Sequence, residues 1–224
     1  MQTVNIALVG VGNCAASLVQ GLQYYQIGES DRSGLTNPIC AGYKVSDVRV
    51  AAAFDVNTSK IGKDLSEAIW ASPNNALKFA DVPHLGVLVH DGTLSDGVGR
   101  HCAGRIDASG VSTLDKIAAH LRATNTHIVV NFLPVGAQKA SELYAEAAIL
   151  AKCAFVNCMP ATIARSSMWE GKFKSAGLPL LGDDLKSQFG STLIHHALID
   201  VLLRNGVDLK TLFSRAYRGR VGRS

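Results

Sequence analysis

Two stretches of the chain carry residue types that can do chemistry. One is Gly182-Asp183-Asp184-Leu185-Lys186-Ser187-Gln188-Phe189-Gly190-Ser191-Thr192. It sets paired acids, a lysine, hydroxyls and an amide directly after the short apolar run Pro179-Leu180-Leu181. A lysine in such company can move protons if its pKa is lowered, or it can hold negative charge on a phosphate or a developing oxyanion. The other reading is that Asp183 and Asp184 cap the next helix and Lys186 is a solvated surface residue. The pattern alone favours neither. The second stretch is Asn5-Ile6-Ala7-Leu8-Val9-Gly10-Val11-Gly12-Asn13-Cys14-Ala15. A β-forming apolar run breaks at G-x-G-x-x-A, and a helical pattern follows. Glycines at a strand-to-helix turn let the backbone approach a pyrophosphate, and the helix N-terminus then faces its charge. Ala15 suits the third position, which needs only close helix–strand packing. The competing reading is a plain βα turn.

A third residue belongs with the glycine turn. Val48-Arg49-Val50-Ala51-Ala52-Ala53-Phe54 reads as a strand, and Asp55 stands at its end. An acid there accepts hydrogen bonds from the adenosine ribose and favours NAD over NADP. The gap from the glycine turn exceeds the usual ~20 residues, and a polar, Gly-rich loop from Ile27 to Asp47 explains the excess. Asp55 also suits an N-cap, as do Asn57 and Thr58.

Other reactive residue types offer less. His195 and His196 are adjacent on a helical pattern, so they face about 100° apart and cannot share a metal as an i, i+4 pair can. His84, His90, His101, His120 and His127 have no ligand spacing. Cys14 follows the glycine turn, where it either touches a cofactor or fills space. No metal site is expected.

The elements that must position these residues alternate. A first helix follows the glycine turn, with Leu18, Val19 and Leu22 on one side, and ends near Tyr25. Further helices are expected over about Ser59 to Ala71, Ser112 (as cap) to Leu121, Gln138 to Ala151, Ile163 to Ser175 and Ser191 to Arg204. Further strands are expected at Leu85 to Val89, His127 to Phe132, Ala154 to Asn157 and Pro179 to Gly182. Buried strands alternating with helices imply an α/β fold, a Rossmann-like doubly wound parallel sheet. In such a sheet the loops after the strands' carboxyl ends, Leu133-Pro134-Val135-Gly136 among them, lie on the ligand side.

Composition sets outer bounds. The chain has 224 residues, 47% hydrophobic and 18% charged, which is globular. The net charge is +4, and Arg215, Arg218, Arg220 and Arg223 near the end account for much of it. Composition therefore gives no case for a nucleic-acid or membrane partner. Cys14, Cys40, Cys102, Cys153 and Cys158 are odd in number and lack C-x-x-C, which suits reduced cytoplasmic thiols. No leader is expected, because the first strand starts almost at Met1.

The motifs together resemble the myo-inositol-1-phosphate synthases (inositol-3-phosphate synthases) of the short bacterial and archaeal type. The resemblance rests on Val9 to Leu18, Ala52-Ala53-Phe54-Asp55-Val56, Leu133 to Gly136, Phe155-Val156-Asn157 and Gly182 to Gln188, in that order. It implies a tightly held NAD and an isomerase that converts D-glucose 6-phosphate to 1L-myo-inositol 1-phosphate, for inositol and phospholipid biosynthesis. It also implies a cytoplasmic homotetramer. By the same resemblance, Lys186 and Asp184 are catalytic. Gly10, Gly12, Asn13, Cys14, Ala15, Asp55, Leu133, Pro134 and Asp183 bind the cofactor, and Ser187, Gln188 and Thr192 lie near substrate.

The resemblance fades after Leu209. The tail from Phe213 to Ser224 has no apolar period and reads as basic and disordered. The expected organisation is an NAD-binding domain over 1–190, the start of a catalytic domain over 191–210 with the rest of that domain largely missing, and the tail over 211–224. Three functions stay open on this reading: the synthase, a non-catalytic NAD-binding module, and an ordinary NAD dehydrogenase.

Overall fold

The computed structural model describes residues 3–27, 34–97, 107–185 and 190–211. The chain forms two compact units, Met1–Leu185 and Lys186–Ser224. The larger unit is built on a parallel sheet. Its strands are β1 (Val4–Val9), β4 (Val48–Asp55), β5 (Val89–Asp91), β6 (Ile128–Asn131), β7 (Ala154–Asn157) and β8 (Leu180–Leu181). Their order is β5-β4-β1-β6-β7-β8, and every pair is parallel. The chain moves outward from β1 in one direction to β4 and β5 and in the other to β6, β7 and β8. The order therefore reverses beside β1, and a ligand crevice in an open α/β sheet opens at that point, beyond the carboxyl ends.

Alternation along the strands divides the core between two faces. Ala7, Val9, Ala52, Phe54, Val129 and Phe155 point to one face. There they meet α3 (Leu114–Ala123), α4 (Gln138–Ala151) and α5 (Ser167–Ala176) through Ile117, Leu121, Tyr144, Ala148, Trp169 and Phe173. Ile6, Leu8, Ala53 and Val130 point to the other face. They meet Ala15, Ala16 and Val19 of α1 (Asn13–Ile27), with Leu65 and Ala68 of the short α2 (Leu65–Ala68). A register shift lies between Ile6 and Ala7, where Val50 and Ala52 are the successive partners on β4.

Several elements differ from the sequence expectation. The helix expected over Ser59 to Ala71 is reduced to the single turn of α2. Its polar residues bond inward and compete with the helical ladder. Asn57 donates to the Ser72 carbonyl. Asp64 caps Ser66 and also accepts from the Leu85 and Val87 amides. That second task holds 85–88 outside the sheet, so β5 begins only at Val89. The cap of α3 is Thr113 rather than Ser112, with its hydroxyl accepting from the Lys116 amide. The helix expected from Ile163 starts at Ser167, because 163–165 turn their amides onto Asp183. Within the long loop after α1, β2 (Ile39–Cys40) and β3 (Tyr43–Lys44) form a small hairpin. Its turn residues Ala41 and Gly42 both have positive φ, as a two-residue hairpin turn requires.

In the smaller unit, α6 (Ser191–Arg204) has the bounds its pattern predicts and ends at Asn205-Gly206. Leu193, Ile194, Leu198, Val201 and Leu203 are exposed on it. Among the described residues, no helix is long and apolar enough to cross a membrane.

Candidate functional site

The glycine turn joins β1 to α1 at the point where the sheet order reverses. Gly10 and Gly12 do different jobs there. Gly10 has φ +88°, and a Cβ on it would come 2.8 Å from the Phe132 carbonyl oxygen. The fold itself therefore requires that glycine. Gly12 is not left-handed, and a Cβ on it would meet no protein atom within 4 Å. Nothing in the protein's own packing demands its bareness. The space it leaves lies at the start of α1, whose first N–H groups have no partner within the helix. Such a cradle fits a pyrophosphate.

The middle of the turn is clamped. Asp55 Oδ2 accepts from the Val11 amide at 2.7 Å, and Oδ1 accepts from the Asn57 amide at 2.8 Å. The Asp55 carboxylate thus orders the turn after β4 and ties it to the glycine loop, while the helix that follows is capped by Asp64. Each oxygen has two lone-pair directions, and the side chain stays 11% exposed. The Val11 carbonyl accepts from Lys60 Nζ at 2.8 Å and from Asn74 Nδ2 at 2.9 Å. Lys60 Nζ also donates to Asn74 Oδ1 at 2.9 Å and lies 3.8 Å from Asp55 Oδ2. Burial holds the Lys60 ammonium below its ordinary pKa, while Asp55 pulls the other way. Asn13 and Asn75 add a second tie. The Asn13 side chain donates to Asn75 Oδ1 at 2.7 Å and accepts from the Asn75 amide at 2.9 Å.

A buried polar network crosses the carboxyl ends of β6 and β7. Asn131 donates to the Ser141 hydroxyl at 3.0 Å and to Asn157 Oδ1 at 2.9 Å, and it accepts from the Leu133 amide. Asn157 donates in turn to Asp183 Oδ1 at 2.7 Å. Asp183 accepts five hydrogen bonds, from Asn157 Nδ2, the amides of Ile163, Ala164 and Arg165, and Arg165 Nε. Burial works against its charge, but these bonds, led by Asn157, outweigh burial and hold the carboxyl below its usual range. None of its side chain is exposed. Asp183 shapes the 161–165 loop.

The remaining expected residues separate into groups. Ala15 and Leu133 are buried, while Asn13, Cys14 and Pro134 are exposed at the same end of the sheet. Asp184 is exposed with φ 72°, and its carboxylate accepts from the Leu185 amide. Thr192 is exposed on α6 in the smaller unit. Lys186, Ser187 and Gln188 lie outside the described residues, as does Cys102. Burial pushes the Cys153 and Cys158 thiols up to about 11, so neither is a ready nucleophile.

The sequence reading missed Lys60, Asn74, Asn131 and Asn157. Lys60 and Asn74 carried no signal, since each fits an exposed helix or its polar stop. Asn131 and Asn157 did carry one: each is a polar residue ending a buried apolar strand, where only a satisfied group is tolerated.

No family model matches the chain. An inositol-3-phosphate synthase of Mycolicibacterium smegmatis is 43% identical over 221 residues, which is 98% of this chain and 60% of that protein. The crystal structure of Ari2 superposes with a TM-score of 0.79 at 33% identity, over 92% of this chain and 61% of its own. A myo-inositol-1-phosphate synthase-related protein from Thermotoga maritima shares the fold, with a TM-score of 0.71 at 22% identity over 92% of this chain and 60% of its own. Over 92–98% of its length the chain is therefore similar to inositol-3-phosphate synthases, of whose own length it spans about three fifths.

Proposed function

We propose that this chain supplies the NAD-binding part of an inositol-3-phosphate synthase, which isomerises D-glucose 6-phosphate to 1L-myo-inositol 1-phosphate. The observation that carries the NAD reading is the pairing of Gly12, bare without a packing reason, with Asp55 tied to the same turn. NAD, when bound, supplies the hydride acceptor and donor. Gly12 and the first turn of α1 hold its pyrophosphate, and Asp55 receives its ribose hydroxyls. Asn131, Asn157 and Asp183 keep the neighbouring strand ends rigid. By family resemblance, Lys186 handles proton or oxyanion charge, Asp184 orients it, and Ser187, Gln188 and Thr192 lie around the sugar phosphate. By the same resemblance the working protein is a cytoplasmic homo-oligomer.

The test follows product. Purified protein is incubated with NAD and glucose 6-phosphate, and inositol phosphate is followed by phosphorus NMR. Because these residues supply only the NAD-binding part, spanning 60% of the relative's length, the expected result is NADH binding with no inositol phosphate formed by the 224 residues alone. Clear accumulation of inositol phosphate, or failure to bind NADH, would contradict this reading.

A further inference from the structure

The acid that faces the ribose in this fold is ordinarily a lone negative charge. Here it is half of a pair. Lys60 is 3% exposed, and its Nζ lies 3.8 Å from Asp55 Oδ2. Two neutral acceptors fix the ammonium there, the Val11 carbonyl at 2.8 Å and Asn74 Oδ1 at 2.9 Å. Asn74 is held in turn, its Nδ2 donating to the carbonyls of Val11 and Ile69 at 2.9 Å each. Asp55 Oδ2 meanwhile accepts from the Val11 amide. Successive peptide groups of the glycine turn are thus gripped from below, the N–H by the anion and the C=O by the cation. The upper side, toward Gly12, is left free.

We propose that Lys60 is a specificity-determining and positioning residue of the dinucleotide site. It acts through Asp55 and Val11, setting how strongly the site rejects a 2′-phosphate while fixing the height of the glycine turn. The proposal rests on the reading of this turn as a dinucleotide site. Its logic is electrostatic. A bare carboxylate repels a 2′-phosphate over several ångströms of low-dielectric surroundings. A buried ammonium within 4 Å of that carboxylate offsets much of the repulsion. The wild-type chain therefore discriminates between NAD and NADP less than Asp55 alone implies, and Lys60 is the cause. The hydrogen-bonding share of its role is separable from the charge. Glutamine keeps a donor for Val11 or Asn74 and carries no charge, whereas methionine keeps the length and neither donor nor charge.

The experiment measures dissociation constants for NADH and NADPH by fluorescence titration of the 224-residue chain and its Lys60→Gln, Lys60→Met and Asp55→Asn variants. The quantity read is the NADPH-to-NADH ratio, which a merely structural role would not move. Lys60→Gln and Lys60→Met should both raise it, by about tenfold for one unit charge removed within several ångströms of the phosphate. Methionine should also weaken NADH binding, because the Val11 carbonyl loses a donor. Asp55→Asn leaves the ammonium unopposed and should bring the ratio below that of wild type. If the Lys60 variants do not fold, Asp55→Asn decides alone: the unopposed ammonium should make NADPH bind more tightly than NADH, and a ratio that stays at or above one overturns the proposal. A ratio unchanged in Lys60→Gln, with both affinities lowered alike, also overturns it. Wild-type protein that binds neither nucleotide would remove the dinucleotide reading itself, an outcome distinct from an unmoved ratio.

Discussion

Asp55 and Asp183 invite comparison, because each follows an apolar strand at the ligand end of the same sheet. Asp55 accepts two backbone amides and stays partly open. Asp183 accepts five donors and is closed to solvent. The difference lies in what surrounds the strand end. Around Asp55 the chain turns tightly at glycines, and the neighbouring helix start has first N–H groups with no partner inside the helix. Around Asp183 the 161–165 loop folds inward and brings its amides to the carboxylate. The lesson is that an acid at a strand's carboxyl end can serve a ligand or the scaffold. The count of internal donors distinguishes the two.

The comparison breaks most readily at Asp183. Asp183→Asn places an NH₂ group among donors and leaves buried amides unpaired, at about 4 kcal/mol of stability. That corresponds to a fall in melting temperature of roughly 12 °C. NADH affinity of the protein that remains folded should hardly change. The loss should also depend on pH. The Asp183 carboxyl is held below its usual range when folded, so its contribution is complete above the ordinary carboxylate pKa of about 4. It drains away as pH falls through the lower folded value. The melting temperatures of wild type and Asp183→Asn should therefore converge in acid. A gap that stays constant from pH 7 to pH 3 would contradict the assigned role.

The glycine turn sharpens the contrast from the other side. Gly10→Ala forces a side chain into left-handed backbone and against the Phe132 carbonyl. The expected cost is about 3 kcal/mol, measurable by urea unfolding. A Gly10→Ala protein of wild-type stability would show that the turn relaxes and that its geometry is not fixed by packing.

Much of this architecture was legible in the chain. Buried β-formers before Gly10, the good helix formers of Gln138 to Ala151, and the Asn-Gly stop after Arg204 each specify one local structure. Helix α4, strand β7 and helix α6 accordingly have their expected bounds. Legibility failed where polar side chains turn inward over long sequence separations. Lys60 reaches Val11, and Asp64 reaches Leu85 and Val87. No local period encodes such bonds, so 59–71 read as an amphipathic helix although it is mostly turns. The internal partners of Asp183 were hidden for the same reason. Its neighbours in sequence suggest a ligand contact, and its neighbours in space are amides of a loop some twenty residues earlier.

The central claim is that Gly12, unlike Gly10, is kept bare for a dinucleotide rather than for the protein's own packing. Gly12→Ala tests it most directly, because the added methyl meets no protein atom within 4 Å. NADH titration and thermal melts of wild type and this variant are measured side by side. The account predicts an unchanged melting temperature and an affinity for NADH lowered about fivefold or more, as overpacking a close contact costs about 1 kcal/mol or more. Equal NADH affinity in the two proteins, or a wild type that binds no NADH, would contradict it.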